Sequence, residues 1–145
     1  MPAEIRLAQM TDIPAIFHVR TSVQENHLSR EQLTAMGITE DAIADMIAAS
    51  PSAWVAVRDG EVVGFSMIDA EEASLFAAFV LPAHEGQGLG KPLVLAAEAE
   101  LFRHHAAIWL ETEPDSRAAG FYRHLGWRDD GVADDNQIRL IKTRT

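Results

Sequence analysis

Cysteine is absent from this chain of 145 residues, so disulfides, thiolate metal sites and a cysteine nucleophile are excluded. That absence fits a reducing compartment. Basic residues are scarce too: 12 Lys and Arg stand against 22 Asp and Glu, a formal net charge of −10. Such a surface repels a phosphate backbone over distances that salt does not screen, so nucleic acid is not an expected partner. The same sign favours cationic small molecules, and it also keeps a protein in solution. No apolar run approaches the roughly 20 residues that span a bilayer, and the first residues lack a basic region followed by an apolar one. The six histidines never fall at H-x-x-x-H spacing, which gives no case for a metal. With no linker, repeat or low-complexity stretch to divide it, the chain is expected to be one cytoplasmic domain over residues 1–145. A membrane is not an expected partner, and the oligomeric expectation is a monomer or a homodimer.

What is present reads as alternating helix and strand. "EIRLAQ" alternates like a half-buried strand, and Thr11 and Asp12 offer oxygens to cap a helix carrying Ile13, Ile16, Phe17 and Val23 inward. Ser29 stands three residues before Gln32, the capping-box spacing, and Gly37 ends that helix. Thr39 opens another, with Ala42, Ile43, Met46 and Ile47 on one face. Two β-rich runs meet at Asp59-Gly60, a strong hairpin signal. "ASLFAAFVLP" is apolar on both faces, which predicts a strand in the middle of the sheet, covered on each side. After it come a glycine-rich stretch, a helix from Leu89 spaced through Leu93, Ala97 and Leu101, the strand "AAIWLET", a short helix ending at Gly126, and an edge-like strand "NQIRLIKT". The order predicts a mixed α/β or α+β fold.

The glycine-rich stretch, "HEGQGLGKP" at residues 84–92, poses the functional question. Three glycines in five residues lose more backbone entropy on ordering than other residues would, so they imply a shape or a close approach that needs them. A P-loop fails, because Glu85 and Pro92 stand where it requires glycine and Ser or Thr. The dinucleotide fingerprint fails as well, since Lys91 occupies its third glycine. What survives is a strand, a tight turn and a helix start whose free amides and dipole face an anion. Pro92 fits a first helical turn, where its missing N–H leaves nothing unpaired. A plain glycine turn before a helix is the alternative reading.

"FVLPAHEGQGLGKPL" resembles the acetyl-coenzyme A motif of the GNAT N-acetyltransferase superfamily, in which a strand ending V-x-P leads into Q/R-x-x-G-x-G/A and a helix. "DSRAAGFYRHLGW" is similar to that family's second motif, N-x-x-A-x-x-x-Y-x-x-x-G-F/W. The resemblance covers nearly the whole chain. It implies a mixed, mostly antiparallel sheet of six to seven strands flanked by four to five helices, splayed into a V after the fourth strand. It implies acetyl-coenzyme A as co-substrate, with the main chain of Phe79, Val80 and Leu81 pairing with the pantetheine arm. The amides of Glu85, Gly86, Gln87, Gly88, Leu89, Gly90 and Lys91 would then hold the pyrophosphate. Tyr122, the only tyrosine, matches the proton donor to the departing thiolate. Two positions depart from the pattern: Glu85 replaces Gln or Arg, and Asp115 replaces the Asn that would bond the cofactor arm.

Acyl transfer to an amine needs a neutral nucleophile, stabilisation of the oxyanion and a proton for the leaving sulfur, all of which positioning and electrostatics can supply. A main-chain N–H near Phe79 or Val80 is the natural oxyanion donor. Tyr122, with a reference pKa of roughly 10, keeps its proton at neutral pH and suits the acid; its apolar neighbours also allow a purely structural role. Glu71, Glu72 and Glu111 lie near strand ends, and Glu72 is taken as the base. His84 and His124 are expected on the surface. The acceptor is expected to be a primary amine of a small molecule or an amino terminus, walled by residues 24–38 and the last strands. The alternative function is a non-catalytic acyl-coenzyme A binding or regulatory module with the same fold.

Overall fold

The computed structural model describes residues 3–23, 27–133 and 137–144. Residues 24–26 of the expected acceptor wall, and Asn136 at the head of the expected last strand, lie outside them. Strand β1 (Glu4–Leu7) leads through a 3-10 turn (Met10–Asp12) into helices α1 (Ile13–Ser22), α2 (Arg30–Ala35) and α3 (Glu40–Ala49). Strands β2 (Ala53–Arg58), β3 (Glu61–Asp69) and β4 (Ser74–Val80) follow, then a 3-10 turn (Pro82–His84) and the long helix α4 (Gly90–His104). The chain continues through β5 (Ala107–Thr112), α5 (Arg117–His124), β6 (Arg128–Val132) and β7 (Ile138–Thr143).

Local chemistry explains these boundaries. Ser29 Oγ accepts the Gln32 N–H at 3.1 Å while Gln32 Oε1 accepts the Ser29 N–H at 2.8 Å, the reciprocal capping expected for α2. Thr39 caps α3 through the Ala42 N–H at 3.1 Å. Asp59 and Gly60 both have positive φ, 52° and 80°, as the tight turn between β2 and β3 requires. Asp12 does not cap α1 with its side chain. Its carboxylate turns back to accept the Gln9 N–H at 2.7 Å and is clasped by Arg6 at 2.8 and 3.1 Å, fixing β1 to the start of α1.

The sheet has the order β1-β2-β3-β4-β5-β7-β6. Every neighbouring pair is antiparallel except β4 and β5. The last strand, expected at an edge, is internal: β7 pairs with β5 on one side and β6 on the other. Its alternation reports one covered face, where Leu140 is buried, and not an open edge. The edge on this side is β6, "RDDGV", exposed at every position and charged as sheet edges commonly are; β1 is the other.

One core lies between the sheet and α4–α5, built on Leu93, Val94, Leu101, Ile108, Trp127 and Leu140; the other lies under α1–α3, around Ile16, Phe17, Leu33, Val55 and Phe65. Strand β4 is central, as its apolar sequence implies, but it is not covered throughout. Ser74 and Leu75 are buried, Phe76 is 41% exposed, and residues 77–80 are half-buried. The cause is topological: β4 and β5 are parallel, hold register only at Ser74↔Trp109, and then diverge.

Candidate active site

The divergence leaves the main chain of β4 without a neighbour on one side. Leu81 donates its N–H to the Val63 carbonyl at 2.8 Å, and Gly64 stands opposite Val80. In an antiparallel ladder that combination makes Val80 and Gly64 a non-hydrogen-bonded pair, so Val80's own N–H and C=O point away from β3. Ala78, two residues earlier and opposite Ser66, has the same orientation. The open ladder edge therefore belongs to Ala78 and Val80. Of the three residues expected to pair with a pantetheine arm, Phe79 and Leu81 instead direct their main-chain groups to β3, and Leu81 does not line the cleft.

The glycine stretch closes the mouth of this gap. Gly86 and Gly88 have φ of 76° and 79°, with Gln87 between them outside that region. Such alternation turns successive N–H groups towards one side, an anion-binding concavity. Among the described residues, none of the N–H groups of residues 86–91 has a protein acceptor, whereas that of Glu85 is taken by the Pro82 carbonyl at 3.3 Å. Glu85 is thus removed from the expected donor set and the other six remain. Helix α4 begins at Gly90, directing its dipole at the same place, and Ser66 Oγ ties its first turn to the sheet through the Leu93 carbonyl at 2.8 Å.

Around the cradle is a cavity of about 400 Å³, lined among others by Val80, Gly86, Gly88, Lys91, Arg117 and Tyr122. Phe79, Glu85, Leu89 and Gly90 also line it. Glu85 does not pair with Lys91; its carboxylate meets Arg117, from the first turn of α5, at 3.4 Å. A carboxylate at the mouth is thereby offset, and two cations face the cradle in a protein of strong negative charge. His84, expected on the surface, is half-buried and lines the cavity. Its Nδ1 lies 3.4 Å from Nη1 of Arg58, and the same nitrogen donates to Gln87 Oε1. Gln87 therefore contributes its amide to the cradle while its side chain anchors the loop to the end of β2. Asp115 is exposed and does not line the cavity.

Tyr122 is placed by the two ends of α5. Ser116 Oγ caps the start by accepting the Ala119 N–H at 3.0 Å, and Gly126, at φ 99°, closes the end so that Trp127 donates its N–H to the Tyr122 carbonyl at 3.0 Å. The phenol is 7% exposed, packs edge-on against Trp127, and lines the cavity; no partner for its hydroxyl occurs among the described residues. Burial, and then the negative charge of Glu98, raise its pKa well above the usual phenol value, so it keeps its proton throughout the working range.

Glu98 escaped the sequence reading, although its spacing from Val94 and Leu101 places it on the apolar face of α4. It is 4% exposed, accepts the Trp127 indole N–H at 3.1 Å and pairs with Lys142 of β7 at 2.7 Å. Arg58 and Arg117 escaped it too. Arg117 lies within the second motif, and its charge next to that motif was the available signal. Nothing in the sequence connects Arg58 to residues 84 and 87.

The proposed base fares differently. Glu72 stands in the turn between β3 and β4, exposed, at the opposite end of β4 from the cradle, and does not line the cavity. Its main chain is used locally: the carbonyl accepts the Trp109 indole N–H at 2.7 Å and the N–H donates to Asp69. Glu71 lies in the same turn, and Glu111 is engaged by Arg139 at 3.2 Å. Among the described residues, no group of three or more His, Asp or Glu could hold a metal ion, and no helix is long and apolar enough to cross a membrane.

An open strand edge, a cradle of unpaired amides flanked by Lys91 and Arg117, and a buried phenol in one cavity fit the pantetheine and pyrophosphate of a coenzyme A thioester. Residues 14–127 match the model of the acetyltransferase (GNAT) family, and the chain belongs to that family, whose co-substrate is acetyl-coenzyme A. No curated protein matches it by sequence. Solved structures with the same fold include a PaiA N-acetyltransferase from Thermoplasma acidophilum in complex with coenzyme A (19% identity, TM-score 0.81, covering 99% of this chain and 100% of that one). A ribosomal-protein-alanine N-acetyltransferase from Brucella melitensis (19%, TM-score 0.69, 97% and 99%) and a GNAT-family acetyltransferase from Bacillus cereus (14%, TM-score 0.75, 99% and 98%) share it as well.

Proposed function

We propose that this protein transfers the acetyl group of acetyl-coenzyme A to a primary amine, on a small molecule or an amino terminus, by direct attack within a ternary complex. The observation that carries this reading is that Tyr122, a largely buried phenol whose hydroxyl has no protein partner among the described residues, shares one cavity with the unpaired amides of residues 86–91 and the open edge of Val80. Acetyl-coenzyme A supplies an already activated acyl carbonyl. The chain supplies position and electrostatics: Val80 N–H offers a donor where negative charge develops on the acyl oxygen, and the cradle fixes the diphosphate. Tyr122 Oη, held protonated, offers its hydrogen to the departing sulfur.

Glu72 is not retained as the base. Glu85 is the one carboxylate among the described residues lining the cleft, and it is engaged with Arg117. The amine is therefore read as losing its proton to solvent, and kcat/KM should rise with pH up to the amine's own pKa. The Glu85–Arg117 pair offsets the negative charge that would oppose a diphosphate, which turnover and a silent binding module both need; the phenol of Tyr122 lining the same cavity is what favours turnover. Release of free thiol from acetyl-coenzyme A with a panel of amines tests the activity. Tyr122→Phe should lower kcat by about 100-fold, in the range of general acid catalysis, with coenzyme A affinity unchanged. Unaltered turnover in that variant would remove Tyr122 from the acid role.

A further inference from the structure

A second cavity, of about 300 Å³, opens on the α1–α3 side of β4. Its walls are almost wholly apolar, with Phe17, Leu33, Phe65, Met67 and Phe76 among them, and no carboxylate lines it among the described residues. The register of β4 explains why it exists. Met67 stands opposite Ala77 and Ile68 opposite Leu75, so Phe76 is an extra residue, a β-bulge. A bulge breaks the alternation of side chains, and here both Phe76 and Ala77 face this cavity, while Ala78 lines the coenzyme cleft.

The two cavities adjoin. Phe79 lines the coenzyme cleft and packs 5.9 Å, centroid to centroid, from Phe65 of the second cavity. Arg20, which lines the second cavity, stacks over the Phe79 ring at 4.2 Å. A molecule seated in the second cavity thus ends beside the strand segment along which the acyl group would lie. Met36, 62% exposed, also lines it, as do Leu28, Leu33 and Ile38, so part of the expected acceptor wall over residues 24–38 lines this pocket, while no described residue of the expected last strands does.

Building on the transferase reading, we propose that this cavity selects the acceptor: a primary amine whose carbon skeleton bears a single aryl or branched alkyl group, with the amino end towards Phe79. A chain carrying a second ammonium is disfavoured, because a wall that among the described residues is almost wholly apolar and holds no carboxylate offers it nothing in exchange for its hydration. Burial of one phenyl ring or branched alkyl group corresponds to a preference of about 30-fold in kcat/KM.

The test uses thiol release from acetyl-coenzyme A with 2-phenylethylamine, isoamylamine, putrescine and spermidine, alongside methyl NMR of the protein on addition of 2-phenylethylamine. The expected result is a preference of about 30-fold for the two apolar amines, with shifts at Ile16, Leu33 and Met67. Met36→Glu, at an exposed position where folding is not at stake, should cut kcat/KM for 2-phenylethylamine several-fold and leave the KM for acetyl-coenzyme A unchanged. Equal or better turnover of putrescine and spermidine, with no methyl shifts, would overturn the pocket while leaving the transferase reading intact. Methyl shifts without acetylation of any amine would uphold the pocket and overturn the transferase reading. An unaltered kcat/KM for 2-phenylethylamine in Met36→Glu would count against the pocket.

Discussion

Replacing Gly88 by alanine isolates what the cradle's backbone shape contributes. Gly88 has φ of 79°, and a methyl group there would meet no protein atom within 4 Å, so crowding plays no part. The cost is conformational: an L side chain in the left-handed region is disfavoured by about 1–2 kcal/mol. That strain appears in one of two places. A loop that keeps its shape lowers the stability of the free protein and leaves coenzyme affinity unchanged. A loop that relaxes spares the free protein, but ligand must restore the shape, which weakens binding by about 5–30-fold. The ligand-saturated protein is strained in both cases. Because alanine also restricts the unfolded chain by about 0.5 kcal/mol, the net loss in the saturated state is about 1 kcal/mol. For a chain of this length that is a drop of about 3 °C in Tm. Calorimetric titration with coenzyme A, paired with thermal unfolding with and without saturating ligand, separates the two cases. Asparagine, which visits positive φ more readily, should recover much of the loss. Unchanged affinity together with unchanged saturated-state Tm in Gly88→Ala would refute the requirement for positive φ at this position.

Other perturbations probe the frame of the site. In Gly64→Ala the new Cβ would lie 3.0 Å from the Phe79 carbonyl oxygen and 3.2 Å from Val80 Cγ2; urea unfolding should show a loss of about 1–3 kcal/mol, and coenzyme A should bind more weakly as Val80 shifts. Lys142→Met leaves the Glu98 carboxylate buried with the Trp127 indole as its remaining partner, for a loss on the order of 3 kcal/mol, and adding Glu98→Gln should return part of the urea midpoint. Asp12 is held below the ordinary carboxylate pKa chiefly by the hydrogen bonds from Arg6, with burial opposing. Its folded-state pKa is depressed, so its contribution is present above the unfolded value of 3.8 and fades as pH falls through the lower folded value. Asp12→Asn should therefore be less stable than wild type at pH 7, with the two unfolding curves converging below about pH 4.

The parts of the site visible in the sequence are those that backbone geometry dictates. Glycines at 86 and 88 and a proline at 92 announce a turn and a helix start before any contact is known, and the second motif carries Tyr122 to the same place. Side chains that meet across long separations give no such notice. Arg58 reaches Gln87 from the far end of the β2–β3 hairpin, and Glu85 finds Arg117 instead of the nearby Lys91, since the fold brings the loop before α4 and the first turn of α5 to one cavity. Glu72 lies near a strand end, which makes it a candidate base in the sequence, but a strand has two ends and the cleft opens at the other. Strand β6 stayed hidden because "RDDGV" has almost no apolar pattern, and its presence moved β7 from the rim to the interior.

The single point of register between Ser74 and Trp109 divides the sheet into a four-stranded and a three-stranded half that meet at the β4–β5 seam, with α4 packed across both. A thioester arm threaded along Val80, as proposed, would act as a removable eighth strand, a zipper tooth borrowed from the substrate. Under the proposed reading, the seam would gain ladder hydrogen bonds when the carrier binds and give them up on its release, so carrier and fold would share one set of backbone contacts.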